Sequence, residues 1–126
     1  MVPAPVTPRA EVLVIDRDDG VRDVCASMLH TLGYRALTRA QPDDLALSAA
    51  RTVDVVLIDV ESRVDASTRT WIADLKRLRP GVRVLVMSGH PARDLAVFMP
   101  VCADGVLYKP FRLAELDAHL DHRPHD

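Results

Sequence analysis

A chain of 126 residues, 48% hydrophobic and with a net charge of −2, has the length of one domain and enough apolar material for a sizeable core. It has no general basic field for nucleic acid or an anionic membrane, and 4% aromatic residues is low for a base-stacking surface. No apolar run approaches the ~18 residues of a membrane span, and Met1-Val2-Pro3 opens without the charged region and apolar stretch of a signal peptide, so a cytoplasmic location is expected.

Residues 1–9 carry three prolines and no periodicity, and read as a flexible Pro-rich tail. Glu11 to Asp16 is the first predicted strand, an unbroken apolar run closed by an acid. Arg17-Asp18-Asp19-Gly20 is the turn, with Asp19 as the expected helix cap. Val21, Val24, Cys25, Met28, Leu29 and Leu32 then recur at helical spacing, and Gly33 terminates. Tyr34 to Thr38 is a short second strand. Gln41-Pro42-Asp43-Asp44 starts a helix whose apolar face, Leu45, Leu47, Ala49 and Ala50, is only fair.

The third strand, Asp54 to Val60, is almost wholly apolar until Asp59. Such a run suits a strand buried on both faces of a parallel sheet. Its acid then lies either at the mouth of a crevice or in a turn. Residues 61–67 are loop-like. Ser67 is placed to cap a helix carrying Trp71, Ile72, Leu75 and Leu78 on its core face, ended by Pro80-Gly81. Val82 to Met87 is the fourth strand, running into Ser88-Gly89-His90-Pro91. A helical stretch, Arg93 to Met99, is cut by Pro100. Gly105 to Tyr108 is the fifth strand, followed by Lys109-Pro110-Phe111. A last helix carries Leu113, Leu116 and Leu120 and frays over residues 123–126. Cys25 and Cys102 fit no metal spacing and read as buried, reduced thiols in helices. His119, His122 and His125 resemble a short metal-binding tract, but their spacing and the fraying end favour solvent exposure.

Strand and helix patterns alternate five times. That is the mark of a doubly wound parallel sheet with helices on both faces. Four strands close on Asp16, Asp59, Ser88 and Lys109, and in a parallel sheet those ends share one edge. Two carboxylates can hold a hard cation through oxygen. A hydroxyl and a lysine can bind phosphoryl oxygens, and a carboxylate can itself attack phosphorus.

VLVID followed by Arg22 six residues after Asp16, then VVLIDV, VLVMSG and LYKPF, stand in that order. On these motifs residues 10–122 resemble the receiver domain of a two-component response regulator. The resemblance implies a flavodoxin-like five-stranded sheet of order 2-1-3-4-5. It implies that a histidine kinase or phosphotransfer protein passes a phosphoryl group to Asp59, the phosphoacceptor. Asp16 matches the first member of the acidic pair that holds Mg²⁺, together with Asp59 and the backbone carbonyl of Glu61. Ser88 matches the hydroxyl that bonds the phosphoryl group, Lys109 the lysine that pairs with it, and Pro110 the proline of an often cis bond. A downstream protein of unknown kind is implied, with homodimerisation through the fourth helix, fifth strand and fifth helix. No direct nucleic-acid binding, membrane contact or enzymatic turnover is expected.

Arg17 stands where that family has its second acid, and a guanidinium cannot ligate Mg²⁺. The exchange moves the pocket by about two charge units and weakens a site that depends on carboxylates. Three outcomes are open: Asp18 takes over, Arg17 faces solvent, or Arg17 pairs with Asp16 or Asp59 and mimics the ion. The loop after Asp59 also departs from the family, and the aromatic switch position is Val106, with Tyr108 on the same strand face. Glu61 and Ala92 lie near positions that influence water access to the site in the family this chain resembles. The rival to phosphoacceptance is a pseudo-receiver that binds partners without it. A small phosphohydrolase of the haloacid dehalogenase type is disfavoured, since position 61 is Glu rather than Asp and no acidic pair follows Lys109.

Overall fold

The computed structural model describes residues 10–60, 66–89 and 103–121. Their elements are β1 (Glu11–Ile15), α1 (Asp19–Thr31), β2 (Arg35–Arg39), α2 (Asp44–Ala49) with a 3₁₀ turn (Ala50–Thr52), β3 (Val55–Val60), α3 (Ala66–Leu78), β4 (Arg83–Ser88), β5 (Gly105–Tyr108) and α4 (Leu113–Leu120). The expected tail over residues 1–9, the helical stretch 93–99, His90, Ala92, Cys102, His122, His125 and the frayed end lie outside the described residues, as does Glu61. Among the described residues no helix is long and apolar enough to cross a membrane.

The five strands form one sheet in the order β2-β1-β3-β4-β5, and every neighbouring pair is parallel. The order follows from the residue runs. β1, β3 and β4 are apolar on both faces and take the centre, where helices cover both sides. β2, with three of five residues exposed, takes an edge. The strand period of two splits the core into two layers. Leu13, Ile15, Val56, Ile58, Val84 and Val86 cluster with Ala46, Trp71, Ile72 and Leu75. Val12, Val14, Val55, Leu57, Leu85, Met87 and Leu107 cluster with Cys25, Leu29, Leu116 and Leu120.

Local signals hold with specific corrections. Asp18, rather than Asp19, caps α1, accepting a hydrogen bond from Val21 N–H. Asp19 is therefore the first helical residue, an acid where the helix dipole favours one. Gly33, at φ 90°, ends the helix in the left-handed region as expected. Val24 is 55% exposed, because it lies roughly 100° round the helix from Cys25, off the buried stripe. Tyr34 precedes β2 rather than opening it: its N–H closes on Leu29 O and its ring is buried.

In α2 the buried position is Ala46, and Ala50 is buried in the 3₁₀ turn that follows, while Leu45 is exposed. Asp43 is its cap. The α3 helix already includes Ala66, so Ser67 falls inside the first turn instead of capping it. Trp71, Ile72 and Leu75 are buried as expected; Leu78, at the last residue and on the edge of that stripe, is exposed. Trp71 Nε1 donates to Asp43 O at 3.0 Å, tying α3 to the start of α2. Leu113 is also more exposed than its apolar spacing implied, so Leu116 and Leu120 seat α4.

Charged residues at the amino edge of the sheet act as staples. Arg79 donates to the carbonyls of Ala50 and Val53. Arg83 donates to His119 O at 2.6 Å and Leu120 O at 3.1 Å, satisfying the last carbonyls of α4. Asp104 accepts from Val84 N–H at 2.7 Å and from Lys76 Nζ at 2.5 Å.

Candidate functional site

The opposite edge gathers the polar strand ends. Asp16 follows β1 directly and is 3% exposed. Its N–H continues the ladder onto Arg39 O. Asp59 is the penultimate residue of β3, beside Met87 in register, and Val60 lies beside Ser88. Ser88 is fully buried. Its carbonyl accepts from Lys109 N–H at 2.7 Å, which holds Lys109 to the end of β4. The Lys109–Pro110 peptide is cis.

Lys109 is the centre of the arrangement. Its Nζ donates to Asp16 Oδ2 at 2.7 Å and to Asp59 Oδ1 at 2.5 Å. The three side chains come from the ends of β1, β3 and β5, separated by 93 and 50 positions in the chain. All are largely shielded: Lys109 is 24% exposed, Asp16 3% and Asp59 13%. Burial pulls the Lys109 ammonium toward its neutral form. The hydrogen bonds and charges of Asp16 and Asp59 outweigh it, so its pKa stands above the ordinary lysine value. Two carboxylates and one ammonium leave the triad with a net single negative charge.

The turn after β1 is tightly held. Asp18 N–H donates to Asp16 Oδ1 at 2.9 Å while its own carboxylate caps α1. Arg22 Nη1 donates to Asp16 O at 2.6 Å, and its other nitrogen pairs with Asp19. In the sequence Arg22 stands on the polar side of the first helix and six residues after Asp16; its contact needs the first turn of α1 folded against the end of β1. Beneath the turn, burial pushes the Cys25 thiol up to about 11, with the Asp16 charge adding to it and Lys109 partly offsetting it. An apolar groove of about 600 Å³, lined by Val24, Met28, Pro110 and Phe111 among others, runs beside Lys109.

No protein-family model matches the chain, and no curated protein matches it by sequence. Solved structures do match. The chemotaxis response regulator CheY4 of Vibrio cholerae superposes with a TM-score of 0.74 at 25% identity, over 90% of this chain and 97% of that one. A CheY-like response regulator receiver domain protein from Methanospirillum hungatei gives 0.73 at 21%, over 87% and 89%. A protein of Burkholderia pseudomallei described as pilus assembly-related gives 0.76 at 23%, over 87% and 85%. The chain has the receiver-domain fold.

Within that fold the departures take definite positions. Arg17 is exposed and, among the described residues, makes no ion pair. Neither Asp16 nor Asp59 is paired with it; Lys109 serves both. Val106 packs against the core layer beneath α3, whereas Tyr108 is 40% exposed. His119 turns its Nδ1 toward Glu115 O, one turn back in its own helix, at 2.8 Å.

Asp16 and Asp59 each direct one oxygen at a single cationic nitrogen, and their two carboxylates are the side chains that could hold a hard divalent ion. That number suits Mg²⁺, which takes one or two carboxylates and completes its shell with water and phosphate oxygens. Asp18 is poorly placed to add a third, since its carboxylate is committed to the α1 cap. Among the described residues no group of three or more His, Cys, Asp or Glu has the geometry of a metal site.

Proposed function

We propose that this receiver fold accepts a phosphoryl group on Asp59 from a phosphohistidine of a histidine kinase or phosphotransfer protein. The observation that carries the reading is the convergence of Asp59, Asp16, Lys109 and Ser88 at one sheet edge, with Lys109 Nζ 2.5 Å from the acceptor carboxylate. An Asp59 oxygen attacks phosphorus; the phosphorus–nitrogen bond to the donor imidazole breaks, and an acyl phosphate forms. The incoming group is anionic. Lys109 then exchanges part of its carboxylate pairing for a phosphoryl oxygen, a charge-assisted bond. The Ser88 hydroxyl supplies a second donor. Asp16 retains the ammonium and keeps it aimed into the pocket. Mg²⁺, when bound, neutralises charge on the transferring oxygens; Asp16 and Asp59 are the side chains that would hold it, with the Glu61 carbonyl as a third donor. The chain acts as a phosphoacceptor rather than a turnover catalyst, and the output is a shift between two conformations passed to a protein partner.

Mass spectrometry after treatment with a small acyl phosphate, with and without Mg²⁺, tests the reading. A single phosphoryl adduct on Asp59 is expected, and its absence from Asp59→Asn. An adduct that persists in that variant removes Asp59 from its role.

One observation favours a second reading, a pseudo-receiver that binds partners without phosphorylation. Arg17 replaces the second acid and Lys109 already bridges the two carboxylates that remain. On that reading no adduct forms at any Mg²⁺ concentration.

A further inference from the structure

We propose that Arg22 is a positioning residue for the Asp59 site. Its guanidinium clamps the Asp16 main chain and so aims the Asp16 carboxylate at Lys109. The inference rests on the reading of Asp59 as phosphoacceptor.

The β2 ladder reaches Asp16 through its N–H, bonded to Arg39 O at 3.1 Å. The Asp16 carbonyl is instead taken by Arg22 Nη1 at 2.6 Å. Both peptide planes around Asp16 are thereby held. The plane that carries the Asp16 carbonyl leads directly into Arg17 and Asp18, and Asp18 N–H is the donor that fixes Asp16 Oδ1 at 2.9 Å. With Oδ1 pinned, Oδ2 faces Lys109 at 2.7 Å. The carboxylate's direction therefore depends on a main-chain orientation that Arg22 secures from one turn inside α1.

Helix stability alone does not account for Arg22. A cation near a helix N-terminus opposes the dipole, and ordering a long side chain to 18% exposure costs rotamer entropy. Asp19 sits in the first turn and pairs with the second guanidinium nitrogen. That offsets the charge and leaves Nη1 on the carbonyl. Arg17 supplies no such restraint, being exposed without an ion pair among the described residues.

Three variants and two measurements test the clamp. The measurements are the initial rate of Asp59 labelling by a small acyl phosphate and the hydrogen exchange of the Asp18 amide, with the Leu57 amide in the core as internal reference. Arg22→Met keeps the stem and removes the donors. It is expected to slow labelling about tenfold and to speed Asp18 exchange about tenfold, the weight of one charge-assisted hydrogen bond, with Leu57 exchange unchanged. Arg22→Lys retains one donor and is expected to recover most of both. Asp19→Asn keeps the carbonyl contact and is expected to stay within about twofold of the parent in both.

Unchanged Asp18 exchange in Arg22→Met overturns the proposal. So does an Asp19→Asn variant as impaired as Arg22→Met, which would trace the effect to charge at the helix end. If the parent protein takes no phosphoryl group, the Asp59 reading fails by itself. The exchange arm then still decides whether Arg22 holds the turn.

Discussion

The two edges of this sheet use charge differently. At the amino edge, Arg79, Arg83 and Lys76 spend their donors on backbone carbonyls, and Asp104 accepts from a backbone N–H as well as from Lys76. Those charges close helix ends and loops. At the carboxyl edge, Lys109 joins Asp16 and Asp59 across three strands, and the second Asp16 oxygen is given to a backbone N–H, that of Asp18. A charge satisfied by backbone groups is structural, because breaking it exposes groups that fold the chain. Charges satisfied by each other remain available to an incoming anion or cation, since partners can be exchanged without unfolding. The difference separates scaffold from site on physical grounds.

Four substitutions can break or sharpen that contrast. The largest effect is expected at Asp59→Asn, which should abolish phosphoryl labelling while leaving the fold intact by circular dichroism. Next is Lys109→Met. It strands two shielded carboxylates and should lower stability by about 1–3 kcal/mol, measured by urea unfolding, and cut the labelling rate by roughly a hundredfold. The raised Lys109 pKa gives this contribution a pH signature. It is complete below the unfolded lysine value and fades as the pH rises through the folded one, so parent and variant should converge only in strong alkali.

Arg83→Met tests the other edge. Loss of two hydrogen bonds to the end of α4 should cost about 1–2 kcal/mol yet leave labelling within about twofold. A labelling defect as large as that of Lys109→Met would erase the distinction between the edges. The last effect is confined to alkaline pH and concerns Cys25, beneath the carboxyl-edge turn. Its thiol ionises at about 11 in the folded chain against 9.0 ordinarily, so unfolding gains a proton-release advantage as the pH rises from 9 toward 11. Stability should fall across that window by at most roughly 2–3 kcal/mol, and Cys25→Ala should flatten the slope.

Much of this was legible from residue order. The apolar runs of β1, β3 and β4, each closing on Asp16, Asp59 or Ser88, specified a parallel sheet and which residues would share an edge. Misreadings fall where one-dimensional spacing is a weak guide. Val24, Leu45 and Leu78 are apolar but lie at the margins of helical stripes, and which margin is covered depends on how each helix is rotated on the sheet. Asp18 and Asp19 are adjacent acids, and a one-residue choice of cap decided which carboxylate was spent on the helix.

By itself the sequence determined the alternation of strands and helices, the two-sided burial of the central strands and the acid, hydroxyl and lysine at their ends. These are consequences of local period and of where apolar runs stop, and they survive small errors in boundary. The tertiary structure alone decided the partners: Lys109 on both Asp16 and Asp59, Arg22 on the Asp16 carbonyl, Arg17 turned to solvent. Each depends on a few ångströms of placement between elements far apart in the chain. A side chain's reach is set by packing that no local pattern encodes.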